Sequence, residues 1–102
     1  MNLIFVYITN PNKEEAEKIA KHLLERKLIA CANIFEIDSL YLQEKEIAKE
    51  NEFVLIAKTA EDNFEKVKNE VKKIHSYKIP CIVKIPVSAN EKYSNWLKEK
   101  IS

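Results

Sequence analysis

Four strand-like and two helix-like segments, in the order β-α-β-β-α-β, limit what this chain can fold into. Residues 3–9 are rich in β-branched and aromatic side chains and end at an Asn-Pro turn signal, which is typical of a central strand. Residues 13–27 then repeat apolar side chains at helical spacing. Asn12 is the predicted N-cap of this helix, and Glu15 is its predicted capping-box partner.

The next two strands are predicted to form a long hairpin. The pattern indicates one arm at residues 29–42, a turn at the polar residues 43–46, and a second arm at residues 52–59. Strands usually contain about five or six residues. Arms of about ten or more residues would therefore extend beyond a sheet of ordinary width.

The second half of the chain repeats the helix–strand order and adds a helix. A stripe of apolar residues predicts a helix that opens at Thr59 or Ala60; its members are Phe64, Val67, Val71 and Ile74. Alternating apolar residues predict a fourth strand over 79–87, and its two prolines favour an edge position, because proline cannot donate to a strand ladder. Asn90 is the predicted N-cap of a short C-terminal helix.

This order predicts an α/β (α+β) protein with a ferredoxin-like βαββαβ fold, formed as a single domain over 1–102. Right-handed crossovers then give an antiparallel sheet with both main helices on one face. The second and fourth strands lie at opposite edges, so Cys31 and Cys81 should be too far apart to form a disulfide bond. Free thiols and the lack of a recognisable export signal make the cytoplasm the expected location. No apolar run approaches the ~20 residues that span a bilayer, so no membrane partner is expected.

Composition excludes several classes of function. The chain contains no glycine, which Walker loops, dinucleotide-binding turns and nucleophile elbows need where the backbone turns sharply or approaches a ligand. The formal net charge is only +1, so no overall field attracts nucleic acid. Arg26 is the only arginine, which leaves little to clamp a phosphate group. No catalytic machinery is recognisable, and we expect the protein not to be an enzyme.

Six short segments carry a resemblance to a known family. They are Thr9-Asn10-Pro11, Leu28-Ile29-Ala30-Cys31-Ala32-Asn33-Ile34, Ser39-Leu40-Tyr41, Ile56-Ala57-Lys58-Thr59, His75-Ser76-Tyr77-Lys78-Ile79-Pro80 and Tyr93-Ser94-Asn95-Trp96-Leu97. In this order, and over nearly the whole chain, they resemble the CutA family of divalent-cation tolerance proteins. The resemblance implies a ferredoxin-like subunit similar to PII signalling proteins, a homotrimer, and a link to copper and other divalent cations.

Departures from the family pattern affect the expected metal site. Where the family usually has tryptophan two residues after the hairpin tyrosine and then glycine, this chain has Gln43, Glu44 and Lys45. The metal ligands in some members of the family are a cysteine late in the first strand and adjacent histidines before the His-Pro-Tyr turn. The matching positions here are Ile8 and Ile74, which leaves only His75.

His75 and Cys31 are the candidate metal ligands of this chain. Imidazole suits copper and zinc, and a thiolate is a soft ligand. The alternative for His75 is a helix-end histidine that interacts with terminal carbonyl groups. The alternative for Cys31 is a small buried hydrophobic residue. No cofactor is required by the pattern, and copper or another divalent cation is the candidate ligand.

Other polar and aromatic residues are candidates for a site between subunits. Lys58, Tyr77 and Glu52 are expected to converge on an inter-subunit cleft, as ligand sites in PII-like trimers do. The alternative is a structural ion pair or a buried hydrogen bond. Tyr41, Tyr93 and Trp96 are the candidate residues of the trimer interface, with stacking on a ligand as the alternative. His22 is expected to be solvated on the outer side of its helix.

The expected function is that of a homotrimeric, non-catalytic protein in divalent-cation tolerance or signalling, with copper as the expected cation. The alternative is an RNA-binding domain of the same topology, because residues 4–8 mimic the first strand of RNA recognition motifs. The third strand of that class reads basic-Gly-aromatic-Gly-aromatic, whereas residues 51–55 contain one aromatic and no glycine. A small enzyme such as an acylphosphatase would need an anion-binding loop and an arginine, and Arg26 lies late in the first helix.

Overall fold

A computed structural model describes residues 2–102 and confirms the ferredoxin-like order with a further C-terminal helix. The elements are β1 (Leu3–Asn10), α1 (Lys13–Glu25), β2 (Cys31–Gln43), β3 (Glu46–Ala60), a 3-10 turn (Glu61–Asn63), α2 (Phe64–Ile74), β4 (Ile82–Val87) and α3 (Glu91–Lys100). The four strands are antiparallel and lie in the order β2-β3-β1-β4. β2 and β4 therefore occupy opposite edges, as the right-handed crossovers require.

One face of the sheet packs against α1 and α2 and forms the core. Side chains alternate along each strand, so every second residue of β1 and of the base of β3 meets the two helices. The buried residues of this core are Ile4, Val6, Ile8, Ile19, Ala20, Leu23, Ile29, Leu55, Ala57, Val67 and Val71. Burying one such leucine, isoleucine or valine side chain contributes about 1.5–3 kcal/mol to stability. The predicted placement of both helices on one face is confirmed.

The opposite face of the sheet, called here the open face, is covered only in part. By strand alternation it presents Leu3, Phe5, Tyr7 and Thr9; Cys31, Asn33, Phe35 and Ile37; Val54, Ile56, Lys58 and Ala60; and Val83, Ile85 and Val87. α3 lies over one end of this face, where Leu97 is buried. Away from α3, Phe35, Val83 and Ile85 are exposed. The subunit thus has one face covered by two helices and one largely apolar face without full cover.

The hairpin of β2 and β3 extends beyond the rest of the sheet. The last β1–β3 pair is Asn10 with Phe53, so residues 46–52 of β3 have no neighbour on the β1 side. Residues 37–52, which we call the hairpin arm, contribute to a longest dimension of 47 Å. The long hairpin was predicted, but the second arm begins at Glu46 and not at residue 52. The apolar alternation fades in the polar stretch 49–51, while the backbone ladder to β2 continues through it.

Two turns place ordinary residues where glycine is favoured. Lys27 follows the end of α1 with φ 56°, and Glu44 opens the hairpin turn with φ 59°. After α1, the Lys27 N–H donates to the Leu24 carbonyl at 3.0 Å and the Leu28 N–H to the Leu23 carbonyl at 3.0 Å. These are the two bonds of a Schellman motif, which satisfies carbonyl groups at a helix end. Both turns therefore form without glycine, and Lys27 and Glu44 bear the backbone strain of a left-handed conformation.

Several boundaries differ from the predicted ones. α1 ends at Glu25, two residues early, because the left-handed turn at Lys27 stops it. β3 runs to Ala60 and a 3-10 turn precedes α2, so neither Thr59 nor Ala60 opens the helix. β4 begins at Ile82, because residues 79–81 have no partner on β1. Within residues 2–102, no helix combines the length and apolar character needed to cross a bilayer.

Candidate functional site

His75 is a buried connection between the end of α2 and the end of β1. Its side chain has no solvent exposure. The Nε2 nitrogen lies 2.8 Å from the carbonyl oxygen of Thr9, and the Tyr77 N–H donates to Nδ1 at 3.0 Å. Nε2 therefore donates to the Thr9 carbonyl, which only accepts, while Nδ1 accepts from the Tyr77 N–H and also lies 3.4 Å from Glu15 Oε2. Both ring nitrogens are therefore engaged in structural bonds.

Glu15 ties α1 to the turn that follows α2. Its Oε2 accepts hydrogen bonds from the Ser76 N–H at 3.1 Å and from the Ser76 hydroxyl at 3.0 Å. Asn12 caps α1 as predicted, since its Oδ1 accepts from the Glu15 N–H at 2.8 Å. The predicted capping box is only half formed, because the Glu15 carboxylate is directed to Ser76 and not to the N-cap backbone.

Glu52 and Tyr77 form one pair of the three residues expected in a cleft. The Tyr77 hydroxyl donates to Glu52 Oε2 at 2.7 Å. Burial raises the pKa of Tyr77, and the hydrogen bond to Glu52 raises it further, since both disfavour the phenolate. Glu52 is itself buried, and no cation within residues 2–102 lies within ion-pair distance of it. A buried carboxylate with no cationic partner is costly, which makes this pair a candidate contact with another molecule.

Lys58 lies apart from that pair. It is six residues along β3 from Glu52, or roughly 20 Å at the rise of a strand. Its Nζ lies 5.6 Å from the centre of the Phe5 ring and 5.7 Å from that of Tyr93. Within one subunit the three predicted cleft residues therefore occupy two separate places.

Cys31 and His75 do not meet within one subunit. Cys31 pairs with Lys58, whereas the His75 ring binds Thr9, which pairs with Val54. Four residues of β3 separate these two positions, or roughly 13 Å along the strand. A metal ion bound by both would need them within about 4–5 Å of each other. Residues 2–102 contain no group of three or more histidine, cysteine, aspartate or glutamate side chains placed to bind a metal ion.

The two cysteines are not bonded to one another, as predicted. Cys31 and Cys81 are both free and half-buried. Cys31 opens β2 at one edge of the sheet, and Cys81 precedes β4 at the other edge. The whole width of the sheet separates the two thiols, which excludes an intramolecular disulfide bond.

The candidate interface residues lie at two places on the open-face side. On the hairpin arm, the Tyr41 hydroxyl donates to Glu50 Oε1 at 2.5 Å, and this bond raises the pKa of Tyr41. On α3, the Tyr93 and Trp96 rings lie 5.4 Å apart. Tyr41 and Trp96 are both exposed. Aromatic groups thus flank the open face at both ends.

Sequence reasoning missed a charged cluster between α1 and α2. His22 Nε2 donates to Glu70 Oε1 at 2.9 Å, and the Arg26 Nη1 donates to His22 Nδ1 at 3.0 Å. Lys73 donates to Glu70 Oε2 at 2.8 Å. The bond from Lys73, followed by the bond from His22, lowers the pKa of Glu70 to about 2. The prediction that His22 is merely solvated is wrong, because α2 packs alongside and supplies Glu70.

Asn10 is a second feature that the sequence did not reveal. It is fully buried, and its Nδ2 donates to the carbonyl groups of Ile8 and Phe53, each at 3.2 Å. Phe53 is its partner on β3 at the point where the sheet ends and the arm begins. The side chain therefore ties the last pair of the β1–β3 ladder. The Asn-Pro turn signal marked the end of the strand but not this bond.

Comparison with known proteins gives a consistent result over nearly the full chain. A sequence model described as "CutA1 divalent ion tolerance protein" matches residues 4–100. A relative from Archaeoglobus fulgidus, named "Divalent-cation tolerance protein CutA", is 48% identical over 98 residues, which cover 95% of this chain and 96% of the relative. A relative from Arabidopsis thaliana, named "Protein CutA, chloroplastic", is 36% identical over 97 residues, covering 93% of this chain and 53% of that protein.

Solved structures agree with the fold. The structure described as "Periplasmic divalent cation tolerance protein CutA from Archaeoglobus fulgidus" has a TM-score of 0.94 at 46% identity, covering 98% of this chain and 99% of that one. The structure of "divalent ion tolerance protein CutA1 from Ehrlichia chaffeensis" has a TM-score of 0.95 at 40% identity, covering 99% of this chain and 96% of that one. Identities of this size over whole chains leave the family in no doubt.

Proposed function

The chain belongs to the CutA1 family of divalent ion tolerance proteins, and from this we propose that it acts as a homotrimeric, non-catalytic protein in divalent-cation tolerance or signalling, including tolerance of copper. The observation that most supports a homotrimer is the incompletely covered open face together with the hairpin arm that projects from the sheet. Lack of glycine in the whole sequence supports a role without common nucleotide-binding or hydrolytic loops.

The open face has the character of a surface that another subunit covers. Phe35, Val83 and Ile85 are exposed on it, and exposed apolar patches of this kind mark interaction sites. The arm carries further exposed apolar residues, of which Leu42 and Ile47 are 74% and 72% exposed. An arm that lies on the open face of the next subunit is a heterologous contact, and such contacts close into a ring of three when each rotates the next subunit by a third of a turn.

The candidate interface residues fit this arrangement. Tyr41 on the arm and Trp96 on α3 lie at opposite ends of the apolar surface, with Tyr93 next to Trp96. Tyrosine and tryptophan are enriched in interfaces because they bury a large area and keep one polar group to bond. The Glu52–Tyr77 pair is proposed to line the cleft between subunits, where Glu52 gains the cationic partner that it lacks within residues 2–102.

The assembly is tested by size-exclusion chromatography with light scattering. The expected mass is three times 11.9 kDa, or about 36 kDa, at micromolar concentration. A stable monomer of 11.9 kDa under these conditions would rule out the homotrimer.

Cys31 and His75 do not fit a single tight metal site. His75 uses both ring nitrogens for structural bonds, and Cys31 lies roughly 13 Å away along the strand direction. We therefore propose that Cys31 contributes only a weak contact to copper or another divalent cation, and that a separate contact from His75 requires its ring to release Thr9 or Tyr77. A cation with one protein ligand keeps most of its water and gains little binding energy.

Calorimetric titration with Cu²⁺ and Zn²⁺ tests this proposal. Wild-type protein should bind Cu²⁺ no tighter than roughly 10 µM, and Cys31→Ser and His75→Ala should each weaken binding by a factor of about two to three. Cys81→Ser is the matched control, since Cys81 is also free and half-buried. Unchanged affinity in both variants would remove Cys31 and His75 as ligands.

We also propose a cytoplasmic location, because two free thiols suit a reducing compartment. Fractionation with an antibody against the protein tests this, and recovery in a periplasmic or organellar fraction would contradict it.

The RNA-binding alternative is not supported, since the family match accounts for the whole topology. The base of β3 presents Val54 and Ile56 to the open face and no aromatic pair for stacking bases.

A further inference from the structure

Of the residues that the structure places on the open face, Lys58 alone is charged. It lines a small, mostly apolar cavity of about 70 Å³ beneath α3, where its Nζ lies between the Phe5 and Tyr93 rings. No carboxylate within residues 2–102 lies within ion-pair distance of this Nζ. A subunit that covers the open face must therefore bring a counter-charge to Lys58 or bury it unpaired, and an unpaired buried charge is costly.

Glu52, at the base of the hairpin arm, is the reverse case. It is a buried carboxylate without a cation, and its Oε2 accepts the hydrogen bond from the Tyr77 hydroxyl. Its Oε1 has no hydrogen-bond partner in the described part of the chain, yet it is not closed off from solvent. Asn10 Oδ1 is the only side-chain oxygen or nitrogen of residues 2–102 that is both closed off and unbonded. Glu52 Oε1 is therefore free to accept from a group outside its own chain.

The open face and the adjoining side of the arm carry opposite charge. Side chains alternate along β3, so the even-numbered residues of the arm lie on the same side of the hairpin as Lys58. They are Glu46, Ala48, Glu50 and Glu52. Their partners across the hairpin, none of them charged, are Gln43, Tyr41, Ser39 and Ile37. This side of the arm is therefore acidic, whereas the open face carries a single lysine.

We propose that Glu52 of one subunit forms an ion pair with Lys58 of the next. The Tyr77 hydroxyl then orients the carboxylate, and the Phe5 and Tyr93 rings flank the ammonium. The two charged residues lie roughly 20 Å apart along β3, so they cannot pair within one chain. This inference rests on the proposed homotrimer, in which each subunit offers a carboxylate to one neighbour and a lysine to the other. The three residues expected in a cleft then meet between two chains.

Glu50 is the competing carboxylate on the same side of the arm. It is exposed, and it already accepts the hydrogen bond from the Tyr41 hydroxyl. An exposed ion pair gains little, because solvent screens it and long side chains must be held in place. Glu52 is buried and held by Tyr77, so pairing it with a lysine removes a larger cost. Glu50 therefore provides a matched control.

Charge reversal tests the pair, with association followed by light scattering over a dilution series. Glu52→Lys and Lys58→Glu each bring like charges together, and each should raise the concentration of half-dissociation by about tenfold or more. The double variant Glu52→Lys/Lys58→Glu restores opposite charges and should return this concentration to within about threefold of wild type. The control Glu50→Lys/Lys58→Glu should associate no better than Lys58→Glu alone.

Cross-linking tests the same contact should a reversed charge prevent folding. Glu52→Cys/Lys58→Cys, in a chain that also carries Cys31→Ser and Cys81→Ser, is treated with a short bis-maleimide. Covalent dimers and trimers are expected on a denaturing gel, because the reagent cannot span the roughly 20 Å between the two positions of one chain. Glu52→Cys/Lys84→Cys is the control and should remain uncross-linked, since Lys84 points to the helix side and contacts Glu61.

The pair and the trimer can fail separately. Wild-type association in Lys58→Glu, a double reversal no better than the single variants, or a trimeric cysteine variant without cross-links would each overturn the pair and leave the homotrimer standing. A wild-type chain that scatters light as a monomer would overturn both.

Discussion

The two ends of the β2–β3 hairpin share one ladder of backbone hydrogen bonds and differ in almost everything else. At the base, Leu55 and Ala57 are fully buried beneath α1 and α2. On the hairpin arm, Leu42 and Ile47 pair across the same two strands but stay mostly exposed. Strand pairing alone therefore shapes the arm without burying it. The base is stabilised by its own subunit, whereas the arm depends on a surface outside it.

The largest effect is expected at the base. Leu55→Ala should lower the free energy of unfolding by about 2–5 kcal/mol, because it removes a fully buried side chain and leaves a cavity. Urea denaturation followed by circular dichroism measures this. Leu24→Ala, on the exposed side of α1, is the control and should cost less than about 1 kcal/mol. Similar losses in the two variants would mean that the core does not lie where the base of the hairpin meets the helices.

Charged substitutions on the hairpin arm should weaken the association of subunits without unfolding the subunit itself. The double variant Leu42→Lys/Ile47→Lys should keep the far-ultraviolet spectrum of the subunit, since both side chains are exposed in a single chain. Buried in an interface, two unpaired charges should weaken association at least tenfold, so that light scattering detects subunits of 11.9 kDa. Leu24→Lys is the control for added charge. A double variant that stays trimeric would show that the arm tip lies outside the interface.

In the helix layer above the base, the contribution of Glu70 to the free energy of unfolding should depend on pH in the acid range. Its folded pKa, about 2, lies below the ordinary value of 4.5, so the carboxylate stabilises the fold above pH 4.5 and loses this effect as the pH falls towards 2. The difference in stability between wild type and Glu70→Gln should thus be full at pH 6 and vanish near pH 2. Glu25→Gln is the control, because Glu25 is an exposed residue of α1 that forms no ion pair among residues 2–102. A difference that is constant with pH would exclude the ion cluster as its source.

The smallest effects are expected at the two left-handed residues, one in each region. Glu44→Gly at the arm tip and Lys27→Gly after α1 should each raise stability by up to about 1 kcal/mol. The relief of backbone strain exceeds only slightly the entropy that glycine adds to the unfolded chain. Thermal unfolding of both variants, with Lys45→Gly as a control without positive φ, measures the change. A gain in the control equal to that of Glu44→Gly would contradict the role of φ.

Much of the fold was predictable because its signals are local. The helix stripes, the Asn12 cap and the proline-marked edge strand each arise from a few neighbouring residues. The second arm was placed too late because residues 49–51 carry little apolar alternation, and their strand is held by pairing with β2. The candidate site was less predictable. Glu52 and Tyr77 form the buried hydrogen bond that was the alternative to a cleft, and Lys58 lies elsewhere, since contacts between distant segments depend on register and packing.

The sequence by itself determined the family, the order of elements and the face that each helix buries, because periodicity and short motifs carry this information along the chain. Only the tertiary structure decided which polar groups meet. It engaged both nitrogens of His75, directed Glu15 to Ser76, joined His22 to Glu70, and left Lys58 without an anion beside a small cavity. These contacts join residues up to 66 positions apart, and their distances are set by how helices pack on a sheet.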